Sequence, residues 1–103
     1  MKTTLAFISI ILCFMSRAMA SDDNYVPENG FVPNEQTAVS IAEAVLMPIY
    51  GAEAIKKERP FKASLQNGVW TVVGTLPRGL LGGVATIEIS KIDGHVLRVT
   101  HEK

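Results

Sequence analysis

The chain has 103 residues, nearly half of them hydrophobic, with ten basic residues balanced by ten acidic ones. That length holds at most one small globular domain, and no low-complexity tract argues for disorder. No basic surplus and no interleaving of aromatic and basic residues is present to track a phosphate backbone, so nucleic-acid binding is excluded as a leading class.

Residues 1–20 read as a secretory signal. Lys2 gives a positive start, Leu5 to Met15 is an apolar run of about eleven residues, and Ala18-Met19-Ala20 has the small-x-small form of a cleavage site. The run is too short to span a bilayer, which takes about 20 residues. Cys13 lies inside the run, behind the bulky Ile11 and Leu12, so it reads as an ordinary apolar position lost with the leader and not as a lipidation site. The mature chain then contains no cysteine, which removes disulfide and thiol chemistry. Lys2 and Arg17 leave as well, so eight basic residues face ten acidic ones and the net charge becomes −2. The expected location is the periplasm.

Residues 21–33 (SDDNYVPENGFVP) are polar and punctuated by Pro27, Asn29-Gly30 and Pro33, the signature of an extended arm. Tyr25, Val26, Phe31 and Val32 are apolar enough to strap onto a surface, against the plainer reading of a linker. Residues 34–103 form the expected domain. Asn34 is a good N-cap, and Glu35 places negative charge in a first helical turn. Ala38, Ile41, Ala42, Val45, Leu46 and Ile49 make one apolar stripe, with Ser40, Glu43 and Met47 off its centre. Pro48 weakens the end and Gly51 closes it, and residues 52–58 can add one or two turns before Pro60.

Two hairpins follow. Asn67-Gly68 lies between alternating runs, and a two-residue turn there sets Leu65 opposite Trp70, Ala63 opposite Val72 and Phe61 opposite Gly74. Ile92-Asp93-Gly94 suits a three-residue loop with Gly94 left-handed, which sets Ile89 against Leu97, Ile87 against Val99, and Glu88 against Arg98 on the outer face. The predicted fold class is α+β, an N-terminal helix packed on one face of a four-stranded antiparallel meander. A mature chain of about 83 residues sits near the size at which one core supplies only ~3–5 kcal/mol, so stabilisation by a bound partner or by self-association suits it.

Constellations for chemistry are sparse. His95 and His101 have no cysteine or second histidine at metal-ligand spacing. Ser64, Ser90 and the threonines face outward without a predictable His–Asp partner. Glu88 and Arg98 read as a cross-strand ion pair, and Glu53, Lys56, Lys57, Glu58 and Arg59 as a solvated charged face. Gly79-x-x-Gly82-Gly83 does not have the Rossmann spacing. No catalytic, cofactor-binding or metal-binding residue is assigned, and no cofactor is expected. The loop Leu76–Gly83 stands out because it combines Arg78 with Leu80 and Leu81; these leucines either cap the open end of the core or face a partner.

From Thr37 onward the chain resembles the small secreted bacterial immunity proteins assigned a nuclear-transport-factor-two-like fold. The residues that carry the resemblance are Ala42-Glu43-Ala44, Pro48-Ile49-Tyr50-Gly51, Arg59-Pro60-Phe61, Gly68-Val69-Trp70-Thr71-Val72, Gly74-Thr75-Leu76-Pro77, Gly82-Gly83-Val84 and Ile89-Ser90-Lys91-x-Asp93-Gly94. The resemblance implies a non-enzymatic immunity factor that binds and occludes a cognate toxin of a contact-dependent or type VI secretion system. An exported immunity protein guards against a toxin acting in the periplasm, which points to a peptidoglycan-active effector. The candidate toxin contacts are Arg78, Leu80 and Leu81 on the loop and Thr71, Glu88 and Arg98 on the outer sheet face. The helix, the Gly-x-Trp-x-Val strand and the Asp-Gly turn are also similar to PepSY-like periplasmic domains, which implies the alternative of a protease-inhibitory or regulatory binding module. A small periplasmic enzyme is the third reading; it requires a concave pocket of convergent titratable groups.

Overall fold

The computed structural model describes residues 24–102. The expected leader at 1–20, with Cys13 inside it, lies outside the described residues. Helix α1 spans Glu35–Tyr50, and the short α2 spans Ala52–Lys57. The strands are β1 (Lys62–Gln66), β2 (Val69–Val73), β3 (Val84–Ser90) and β4 (Val96–Glu102), paired antiparallel in the order β1-β2-β3-β4. The fold class is therefore α+β, as the patterning predicts.

Helix α1 starts where its capping chemistry puts it. The Asn34 side chain accepts the Thr37 amide at 2.8 Å, satisfying one of the N–H groups that the first turn leaves unpaired. At the other end Gly51, with φ +96°, donates its N–H to the Met47 carbonyl at 2.8 Å and turns the chain into α2. The buried row of α1 is Ala38, Ala42 and Leu46, spaced four apart. Two alanines in that row bring the helix backbone close to the sheet. Ile55 of α2 and Phe61 extend the core beyond the helix, and Trp70, Val72, Ala85, Ile87 and Ile89 supply it from the inner sheet face.

The first hairpin has the predicted register, with Leu65 opposite Trp70 and Ala63 opposite Val72. Asn67 and Gly68 both take positive φ, +52° and +76°, as a type I′ turn requires. Leu65 nevertheless does not join the core: it is 45% exposed. It belongs to an edge strand, and Glu35 in the first turn of α1 reaches the Ala63 amide (3.4 Å). Leu65 thus projects past the end of the helix that would have covered it. Ile49 is likewise exposed, on the flank of the buried row, and Met47 and Tyr50 pack against the core instead.

The second hairpin departs from its predicted register at one residue. Ile87 faces Val99 and Glu88 faces Arg98, but Ile89 faces Val96, because a bulge intervenes between Glu88 and Ile89. The Ser90 N–H bonds the His95 carbonyl at 2.8 Å, one residue earlier than a plain three-residue loop places it, and the bulge takes up the difference. One extra residue reverses the side-chain alternation. Val96 turns inward, and Leu97, expected in the core, is 51% exposed.

Gly94 closes this turn with φ +75°, and the Asp93 carboxylate accepts the His95 N–H at 2.9 Å. That bond, followed by one from the Ser90 hydroxyl, holds the Asp93 carboxyl below its ordinary value. A depressed folded-state pKa contributes stability that is present above the unfolded value of about 3.9 and is lost as pH falls through the folded one. The stability difference between wild type and an Asp93→Asn variant is accordingly expected to narrow as pH falls below about 4. Urea unfolding across that range measures it, and a difference that stays constant with pH would refute the assignment.

The arm is a strap. Phe31 and Val32 donate their N–H groups to the carbonyls of Ile92 and Lys91 (2.9 and 3.0 Å), and Trp70 Nε1 donates to the Val32 carbonyl at 2.8 Å. Val32 is fully buried, and the Lys91 ammonium bonds the Asn29 carbonyl. Gly30 is required here: its φ is +81°, and a Cβ would overlap the Lys91 carbonyl oxygen. The linker reading therefore gives way to the strapping one for the end of the arm, while Tyr25 and Val26 stay exposed.

Candidate functional site

The open end of the sheet, opposite the arm, is organised by a residue whose role is not apparent from its local sequence. Glu58 falls in the run Glu53–Arg59 that reads as a solvated charged face, yet it is only 6% exposed. Its carbonyl accepts the Thr75 N–H at 2.7 Å, and the Thr75 hydroxyl donates to the Pro60 carbonyl at 2.6 Å, so the segment after α2 is stitched to the end of β2. Its carboxylate Oε1 accepts the buried Ala85 N–H at 2.7 Å, and Oε2 lies 3.5 Å from His101 Nε2. The His101 ring rests tilted on Tyr50, with centroids 5.1 Å apart.

Room for this carboxylate comes from Gly74, where a Cβ would overlap Glu58 Oε1. A glycine at the end of a strand is the one sequence signal that marks a close approach of this kind. Arg59, next in the chain, does face solvent. It pairs with Glu43 of α1 through Nη2 at 2.6 Å and Nε at 3.0 Å.

Beside this pair lies an open groove of about 440 Å³. Ala54 and Lys57 of α2 line one side, Leu76, Pro77 and the 80–83 stretch line the other, and Glu58 and His101 complete it. The leucines do not cap the core: Leu80 is 56% and Leu81 fully exposed. The lining holds no hydroxyl or thiol to serve as a nucleophile, and no group of metal-ligating residues occurs among the described residues. Its walls suit docking of an apolar group. His95 stands apart, exposed beside the second turn.

The six predicted contact residues fall into two places. Arg78, Leu80 and Leu81 sit on the groove loop. Thr71, Glu88 and Arg98 are aligned across three neighbouring strands, Thr71 opposite Glu88 and Glu88 opposite Arg98. They occupy the outer face of the sheet, whereas the groove belongs to the end carrying the inward-facing His101. The Glu88–Arg98 ion pair forms at 3.7 Å, and at that exposure it contributes at most a few tenths of a kcal/mol. No helix among the described residues is long and apolar enough to cross a membrane.

Comparison with known proteins adds an independent line. The model of the family described as NTF2 fold immunity protein matches residues 37–103. Two proteins of Escherichia coli (strain K12) are similar in sequence. The uncharacterized protein YhhH is 34% identical over 88 residues, which cover 84% of this chain and 68% of that protein. The uncharacterized protein YbbC is 30% identical over 113 residues, covering 96% of this chain and 93% of that protein. No solved structure matches the chain.

Proposed function

The chain belongs to the NTF2 fold immunity protein family, and from that membership we propose that it is a periplasmic immunity protein that binds and occludes a cognate toxin attacking peptidoglycan. Family membership carries the toxin-inhibiting role, and proteins of this kind are typically non-enzymatic. The periplasmic assignment is supported by the pattern of residues 1–20, namely Lys2, the apolar run and Ala18-Met19-Ala20. The periplasm holds no nucleic acid or nucleotide pool, which leaves the cell wall and membrane lipid as targets, and a cell-wall enzyme is inhibited by simple occlusion of its cleft. An exposed leucine loop beside a groove gives such an inhibitor a surface with which to enter one.

The test takes toxin candidates from the genes adjoining this one and directs each to the periplasm of a sensitive cell. Co-expressing the full chain is expected to restore growth and intact cell-wall sacculi against one of them, and a version without residues 2–20, held in the cytoplasm, is expected to give no protection. Failure of the full chain to bind any of them or to reduce its periplasmic toxicity would overturn the reading. Equal protection by the leaderless version would overturn the location.

A further inference from the structure

We infer that the groove between α2 and the Leu76–Gly83 loop is the surface that seats the toxin, and that it receives an apolar side chain flanked by a carboxylate. The inference rests on the toxin-binding reading above and goes beyond it by choosing one of two available surfaces and a partner chemistry.

The choice of surface follows from what each side chain is already doing. On the outer sheet face Glu88 is occupied by Arg98. In the groove the leucines are unoccupied: Leu76, Leu80 and Leu81 are all exposed, on a loop that makes no use of them for the core. Leucine is poorly suited to solvent-facing loop tips, and removing one from water in a complex is favourable. The surface is concave, so it fits a protruding side chain better than a flat sheet face does.

The carboxylate follows from the charges that remain. Glu58 is the acidic residue of the lining, and its oxygens are committed to the Ala85 amide and to His101. Lys57 lines the groove and Arg78 stands on the loop, and neither is paired among the described residues. The unsatisfied charge around the leucines is therefore positive. A partner segment with an acidic residue beside an apolar one meets both demands, and such charge complementarity sets specificity and association rate. The Glu58–His101–Tyr50 contacts fix the wall, so little ordering is required on binding.

The experiment measures binding of the full chain to the purified effector against which it protects in the periplasmic test. Leu81→Asp changes a fully exposed residue, so folding is spared, and it is expected to weaken binding at least about thirtyfold. Lys57→Glu is expected to weaken it about tenfold and to flatten the dependence of affinity on salt. Lys62→Glu, the same charge change on β1, is expected to leave both unchanged. If both groove variants bind as wild type while Thr71→Arg abolishes binding, the outer face is the toxin surface and this inference is overturned with the immunity reading intact. If the wild type does not bind the effector, the reading beneath it fails too. Two other occupants have their own signatures. Sedimentation with phosphatidylcholine–phosphatidylglycerol vesicles, or a dimer, either one abolished by Leu81→Asp with effector binding untouched, would give the groove to a lipid surface or to a second copy and overturn the assignment.

Discussion

An Ile87→Ala variant is expected to lose about 2–5 kcal/mol of unfolding free energy, the range for truncating a fully buried aliphatic side chain. Ile87 is completely buried at the centre of β3, opposite Val72 and Val99. Neighbouring side chains are held by their own strands and cannot collapse into the space. For a domain of this size, whose single core supplies only ~3–5 kcal/mol, that is most of what is available. The variant should therefore be largely unfolded at moderate temperature. Leu97→Ala is the informative contrast. The bulge turns Leu97 outward, so its truncation should cost no more than about 0.5 kcal/mol, as surface substitutions do. Urea midpoints of the two variants decide it: equal losses would mean that Leu97 is in the core after all and that the bulge is misplaced.

The second large effect belongs to Glu58. Replacing it with alanine removes the acceptor of the buried Ala85 N–H, which costs about 1–3 kcal/mol, and leaves a void beside Gly74 that adds to this. A total of about 2–4 kcal/mol is expected. Glu58→Gln keeps a carbonyl oxygen for the Ala85 amide and should lose only about 1 kcal/mol. It cannot form an ion pair with a protonated His101, however. Chemical denaturation at neutral pH separates the variants, and an alanine variant as stable as wild type would show that the carboxylate does not hold β3 to the end of α2. The consequence reaches function, because Glu58 and His101 form part of the groove wall. Glu58→Ala should loosen effector binding even where the protein stays folded.

On the proposed function, these sites separate stability from recognition. Ile87 at the centre of β3 and Glu58 at the sheet end serve the fold, whereas Leu80 and Leu81 are exposed and take no part in the core. Stability gained on binding a toxin then adds to a modest intrinsic core.

Local patterning determined most of the architecture. Asn34 and Gly51 bound the long helix because capping depends on residues within one turn of the end. Asn67-Gly68 set the first hairpin register because a two-residue turn leaves no freedom in pairing. The same local logic placed Glu88 opposite Arg98, and the order of motifs from Thr37 onward identified the family. Only the tertiary structure decided the rest. The bulge that expels Leu97 depends on how the Asp93 turn closes, the exposure of Leu65 on where the helix ends over the sheet, and that of Ile49 on which row of the helix faces it. Val32 enters the core because Trp70, far along the chain, needs a partner for its indole N–H. Glu58 is buried because Gly74, sixteen residues later, leaves space for its carboxylate and Ala85 offers it an amide. For Val32 and Glu58 the deciding contacts join residues distant in sequence, so no window of neighbouring residues contains the information. The bulge is local, but the turn residues alone do not distinguish a three-residue from a four-residue closure.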